Sequence, residues 1–174
     1  MELQFDERQP KLQVYSRDVM ICLDEEEVTE EGTTKYKYNV EAFTLTDGQT
    51  LKEEVRKHML FLINEYDHSC KVDGFYVNGQ WMWLDFNLRG KVRERINTDV
   101  KDGKTVSGFT FNGVKYEFPI DTLNAMMFEL DKYARDSWDR SEENRANMNA
   151  FDDPYKMVEY EFKLGYPPQI NFNK

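Results

Sequence analysis

The sequence predicts an α+β fold: an N-terminal β hairpin module, a covering helix, two ββα units, and a helical C-terminal end with an extended tail. Three observations predict it. The segment 74–96, GFYVNGQWMWLDFNLRGKVRERI, is echoed at 108–130, GFTFNGVKYEFPIDTLNAMMFEL, so that Gly74, Phe75, Asn78 and Gly79 recur as Gly108, Phe109, Asn112 and Gly113, 34 residues on (108 − 74). Strand-forming residues cluster at 12–15, 19–23 and 35–45, and in the last Tyr36, Tyr38, Val40, Ala42 and Thr44 alternate with Lys35, Lys37, Asn39 and Glu41, the period of a half-buried strand. Beyond Thr50 and again beyond Asp121 the apolar period changes to that of a helix with one buried face.

These elements imply three stretches: an arm and β hairpin module over 1–49, an α+β core with the internal repeat over 50–138, and short helices with an extended tail over 139–174. Residues 1–10, MELQFDERQP, are polar and proline-ended, as expected of a surface arm tied down late or by a partner. Strands are expected at 12–15, 19–23 and 35–45; in the last, Tyr36, Tyr38, Val40, Ala42 and Thr44 form the side to be buried. Between the second and third lies DEEEVTEEG, whose like charges repel and whose Gly32 can turn, so a long hairpin with a solvated acidic tip is expected. That run does not place oxygen ligands at the intervals a hard cation needs, and no metal or other cofactor is expected.

Thr50 and Glu53 have the spacing of a capping box, so a helix should run over 51–66 and bury Leu51, Val55, Met59, Leu62, Ile63 and Tyr66. Each repeat carries an Asn-Gly pair between extended runs, Asn78-Gly79 and Asn112-Gly113, and a type I′ hairpin turn favours that pair because both central residues need positive φ. Asn87 and Asp121, again 34 apart (121 − 87), are placed to cap the helices that follow. The first of these helices is expected over 88–98 on Leu88, Val92 and Ile96. The second is expected over 122–138 on Leu123, Met126, Met127, Leu130, Ala134 and Trp138. Ser141 could cap a short polar helix, and Asp153-Pro154 supplies a cap and first turn for another. The stretch LGYPPQINFN reads as an extended tail on a sheet edge of its own chain or of a neighbour. With little apolar content, one or both of the arm and the tail are expected to order on neighbouring subunits.

Charge and composition bound the function. Twenty-three basic against 33 acidic residues give a net charge of −10, a field that repels a phosphate backbone. No stretch is apolar enough for a membrane span, and the first thirty residues lack the pattern of a signal peptide. Cys22 and Cys70 make no CxxC pair and no disulfide framework. Among polar residues, His58 stands alone at the edge of a helical stripe, and His68 lies beside Cys70 in DHSCK without a third orienting group. Arg89, Lys91, Arg93 and Arg95 suit surface ion pairs better than nucleic-acid contacts. Chemistry is therefore not expected, and the chain reads as non-enzymatic.

The two hairpins differ in one respect. Around Asn112-Gly113 the aromatic residues share one face and Thr110, Lys115 and Glu117 the other, whereas Tyr76, Trp81 and Trp83 make the first hairpin apolar on both sides. Two accounts fit: an inner ribbon covered by the protein's own helix, or an interface in which these three aromatics meet a partner.

The segments VNGQWMWLDFNLRGKVRERI, FTFNGVKYEFPIDTLNAMMFELDKYARDSW and EYEFKLGYPPQINF together resemble uncharacterised structural and tail-region proteins of Bacteroidales phages and prophages. The resemblance rests on the NG-x-x-x-WLD segment with Arg89 four residues after Asp85, the second hairpin, the stretch from Glu129 to Ala134, and the GYP near the end. It covers roughly residues 60–173 well and the front of the chain weakly. It implies a virion structural protein, associated with the tail, the head-to-tail region or the capsid and made in the bacterial host cytoplasm. Such a protein would contact other virion components and copies of itself, and it brings no catalytic residues to carry over. An assembly chaperone or host-directed binding module not retained in the particle is the alternative.

Overall fold

The computed structural model describes residues 1–30 and 32–173, and over them the chain is α+β. Its elements are β1 (Glu2–Phe5), β2 (Leu12–Tyr15), β3 (Asp18–Glu30), β4 (Thr33–Thr44), α1 (Leu51–Asp67), β5 (Phe75–Val77), β6 (Gln80–Met82), α2 (Phe86–Lys101), β7 (Val106–Phe111), β8 (Val114–Pro119), α3 (Ile120–Ala150), α4 (Pro154–Glu159) and β9 (Asn171–Phe172). They fall into two compact units, Met1–Ile63 with Asn144–Phe162, and Asn64–Glu143 with Lys163–Lys174. This division does not follow the three sequential stretches expected, because the boundary cuts through α1 and α3.

In the first unit four antiparallel strands pair in the order β1-β4-β3-β2. The polar arm is thus a strand of its own chain, with Leu3 opposite Tyr38, and it does not wait for a neighbour. Since β1 and β2 sit at opposite edges, residues 6–11 must cross the sheet. They do so over the side that bears Tyr36 and Tyr38, where Gln9 N donates to Tyr38 Oη at 2.9 Å and the Arg8 guanidinium stands 5.2 Å from the Tyr36 ring centre. That side buries Cys22, Tyr38 and Val40, but Ala42 and Thr44 lie beyond the crossing segment and are exposed, so the expected face is buried only in part. Burial also pushes the Tyr38 hydroxyl and the Cys22 thiol above their ordinary pKa ranges.

The opposite side carries Leu12, Val19 and Ile21, all buried, and Phe43 across from Val19; His58 of α1 stacks on Phe43 with ring centres 4.1 Å apart, so α1 covers this side. His58 therefore has a packing partner. Thr50 Oγ1 accepts from Glu53 N at 3.3 Å and donates to the Glu53 carboxylate at 2.7 Å, the reciprocal cap its spacing predicts, and these bonds hold the Glu53 carboxyl below its ordinary range. The acidic run lies in the long hairpin expected, paired further toward the tip than the strand pattern suggests. It continues β3, with Glu26 opposite Lys37 and Val28 opposite Lys35, after a bulge at Asp24 and Glu25 where Asp24 takes a φ of 53°. Glu31, at the expected tip, lies outside the described residues.

In the second unit the repeat is realised in register as well as in sequence. Phe75 pairs with Met82 as Phe109 pairs with Tyr116, and Asn78, Gly79, Asn112 and Gly113 all have positive φ (51°, 77°, 47° and 78°). The helices match too. Arg89, Val92, Ile96 and Asp99 are buried on α2, and the positions 34 later, Leu123, Met126, Leu130 and Tyr133, are buried on α3. Phe75, Val77, Met82, Leu84 and Phe118 complete one core with the apolar members of these stripes.

Several expected boundaries move. The cap of α2 is Asp85, whose side chain accepts from Leu88 N at 2.7 Å, so Asn87 is inside the helix and Leu88 turns outward. Asp121 lies in the first turn of α3, which follows β8 directly. Helix α3 continues to Ala150 because no Gly or Pro interrupts it, placing Ser141 in its interior and leaving Trp138 63% exposed. Asp153 and Pro154 start α4 as expected. The tail forms β9, parallel to β5 of the same chain, with Tyr76 opposite Asn171.

The repeated Gly108 is required by packing: a Cβ there would stand 1.9 Å from the Tyr116 carbonyl oxygen, which the hairpin fixes. Gly90, within α2, has nothing within 4 Å of that position. Gly108→Ala should therefore lower the melting temperature sharply. Gly90→Ala should raise stability by about 0.5–1 kcal/mol through helix propensity. Thermal unfolding of the two variants checks the pair; equal effects would contradict this packing.

Candidate functional site

The distinctive surface of the second unit is built on the first hairpin and its exit into α2. The Asn78-Gly79 turn sets Tyr76 across from Trp81, so these rings share one side of the ribbon, and both are half-buried. The Trp81 indole rests on the backbone at Gly74, where a Cβ would come within 2.0 Å of Trp81 Nε1. Gly74 and Gly108 thus repeat for different reasons: one makes room for an indole, the other for a strand.

Trp83 departs from expectation. Strand β6 ends at Met82, so strict alternation no longer sets the direction of Trp83, which packs against the core while the Arg89 guanidinium stands 5.6 Å from its ring centre. The side chain of Arg89 is 9% exposed; its Nε donates to Asp131 Oδ1 at 2.9 Å and its Nη1 to the Leu84 carbonyl at 2.6 Å. Arg93 joins the same Asp131 carboxylate and also donates to the Met127 carbonyl at 3.2 Å. Of the three aromatics, then, Tyr76 and Trp81 form a cross-strand pair and Trp83 is held from within. Phe86, which sequence reasoning passed over, begins α2 with 81% of its surface exposed.

A second buried charge lies on the same helix. Asp99 accepts from Lys104 Nζ and from Ser107 Oγ, each at 2.6 Å, and Arg95 stands 3.8 Å away. The bond from Lys104, then that from Ser107, holds the Asp99 carboxyl below its ordinary range. Arg89, Arg93 and Arg95, expected to pair on the surface, do pair, but Arg89 does so in the interior.

Other polar groups of this unit also pair with one another. Asp67 is buried and receives the hydroxyls of Ser141 and Tyr166. His68 Nδ1 lies 3.3 Å from Asp73 Oδ2, and burial raises the Asp73 pKa above its ordinary value. The exposed Cys70 offers its carbonyl to Gln169 Nε2 at 2.6 Å. Among the described residues no group of three or more His, Cys, Asp or Glu side chains is placed to hold a metal ion, and no helix is long and apolar enough to cross a membrane. No family model, curated protein or solved structure matches the chain.

The lowered Asp99 pKa has a defined sign. Its contribution to stability is fully present above the ordinary Asp range and is lost as pH falls through the depressed folded-state value. Asp99→Asn should therefore melt below the parent near neutral pH, and the gap should close on acidification past that range. A gap constant down to strongly acid pH, read by thermal unfolding, would contradict the ion-paired assignment.

Proposed function

We propose that this chain is a structural protein of a phage particle, associated with the tail, the head-to-tail region or the capsid. On this reading it contacts other virion components and copies of itself and performs no chemistry of its own. The observation that carries the contact role is the asymmetry of the repeat. At the positions of Tyr76 and Trp81 the second hairpin has Thr110 and Lys115, so the ββα fold does not require aromatics there. The first hairpin nevertheless presents two half-buried rings, with exposed Phe86 just beyond, on a base that Arg89 ties to α3. Aromatic side chains on a rigid support suit a contact centre, because little conformational entropy is lost when a partner covers them. The phage setting is supported by the resemblance of the WLD segment, the second hairpin and the GYP-containing tail.

The mutational test separates support from contact. Trp83→Ala should cost about 3 kcal/mol or more of folding stability, as truncation of a packed Trp does. Phe86→Ala should leave the melting temperature nearly unchanged while weakening incorporation into particles by about 1–2 kcal/mol. Particles that incorporate the Phe86 variant as efficiently as the parent, quantified by mass spectrometry after co-expression, would remove this surface from the interface.

A further inference from the structure

The tail segment closes the core of the second unit with few residues. Strand β9 contributes two register pairs, Tyr76 with Asn171 and Val77 with Phe172. Tyr76 N donates to the Ile170 carbonyl at 2.8 Å and Asn78 N to the Phe172 carbonyl at 2.9 Å. Ile170 and Phe172 pack against the core cluster, and the Phe172 ring meets Phe75 edge-on at 6.0 Å. Since Phe75 and Val77 have no exposed surface, removing this segment would open the core to water.

The chain leading to it is anchored and then stiffened. Arg140 Nε donates to the Leu164 carbonyl at 2.8 Å, and Tyr166 is fixed to the buried Asp67 carboxylate. Pro167 and Pro168 follow. They lack backbone donors and fix φ, so the chain leaves Tyr166 as a short extended strut whose direction is set by very few torsions. Beyond the strut, the segment is held by its backbone pairs with β5, by the bond from Gln169 to the Cys70 carbonyl, and by the packing of Ile170 and Phe172 on the core cluster.

We propose that residues 169–172 exchange between copies, so that the segment of one chain lies on β5 of the next. The exchanged and closed forms make the same backbone pairs and the same contacts of Ile170 and Phe172. They differ only in the direction of the proline strut and in association entropy, so local concentration selects between them. Copies held side by side present one another at effective concentrations on the order of millimolar, the range in which exchange competes with closure. This inference rests on the reading of the chain as a repeated particle component.

The test uses the full chain carrying Tyr76→Cys and Asn171→Cys, which are register partners, with Cys70→Ser. Two differently tagged preparations are mixed and oxidised at concentrations from about 1 µM to about 1 mM, the range spanned by the effective concentration above. Exchange predicts covalent dimers containing both tags, rising with concentration on non-reducing gels; bonds formed only within single chains at every concentration would overturn it. Sedimentation equilibrium of the unmodified chain provides a second reading: exchange predicts dimers whose fraction rises with concentration, and a chain that stays monomeric up to about 1 mM would overturn it. Particles that contain the cysteine variant linked only within chains would sink exchange while leaving the particle role intact. Mixed-tag dimers, with the unmodified chain absent from particles, would support exchange and sink the particle role.

Discussion

The second unit depends on one buried cation. Arg89 occupies the position where the other copy of the repeat has Leu123, so a guanidinium sits on the stripe that buries Val92, Ile96 and Asp99. A charge in that place is stable only when paired and hydrogen-bonded, and Arg89 meets both needs with Asp131 on α3 and the Leu84 carbonyl at the hairpin exit. The same side chain covers the ring of Trp83. Three elements that a leucine would merely touch are thereby fixed in direction, because the fork of donors accepts few geometries.

From that constraint the placement of the aromatic side chains follows. With Leu84 and Trp83 held, the hairpin cannot pivot about its exit, and the Asn78-Gly79 turn fixes which residues face which side. Tyr76 and Trp81 are presented without freedom to rearrange, and Phe86 is carried outward at the start of a helix capped by Asp85. The second hairpin has no counterpart to this arrangement: Lys115 instead pairs with Glu117 at 2.7 Å on the solvent side. One repeat unit serves mainly as core, and the other combines core with display.

Much of this was legible because local signals and the global pattern agree. The Asn-Gly turns, the capping box at Thr50 and the Asp153-Pro154 start were each readable from residues that only one backbone geometry suits. What was lost depended on contacts distant in sequence. Arg89 and Asp99 look like surface charges until Asp131 and Ser107 are brought to them, although subtracting the repeat offset from Leu123 and Tyr133 points to both (123 − 34 = 89; 133 − 34 = 99). The long acidic hairpin is legible in the repulsion and in Gly32, but the extent of its pairing is not, because that depends on Lys35 and Lys37 across the strand. The arm and the tail were judged too polar to fold alone, yet each needs only an open strand edge, offered by β4 and β5. The ends of helices were misplaced wherever polarity was taken for a stop; α3 runs on through Ser141 because a serine inside a helix can turn its hydroxyl to a buried carboxylate, here Asp67.

The central claim is that Tyr76, Trp81 and Phe86 form a preformed contact surface that a partner covers. Covalent footprinting of aromatic side chains, compared between the free chain and assembled particles, tests it most directly. The account predicts that Trp81 and Phe86 are labelled in the free chain and protected in particles, while Trp138, exposed on α3 outside this surface, serves as the reference. Equal labelling of Trp81 and Phe86 in both states would contradict it.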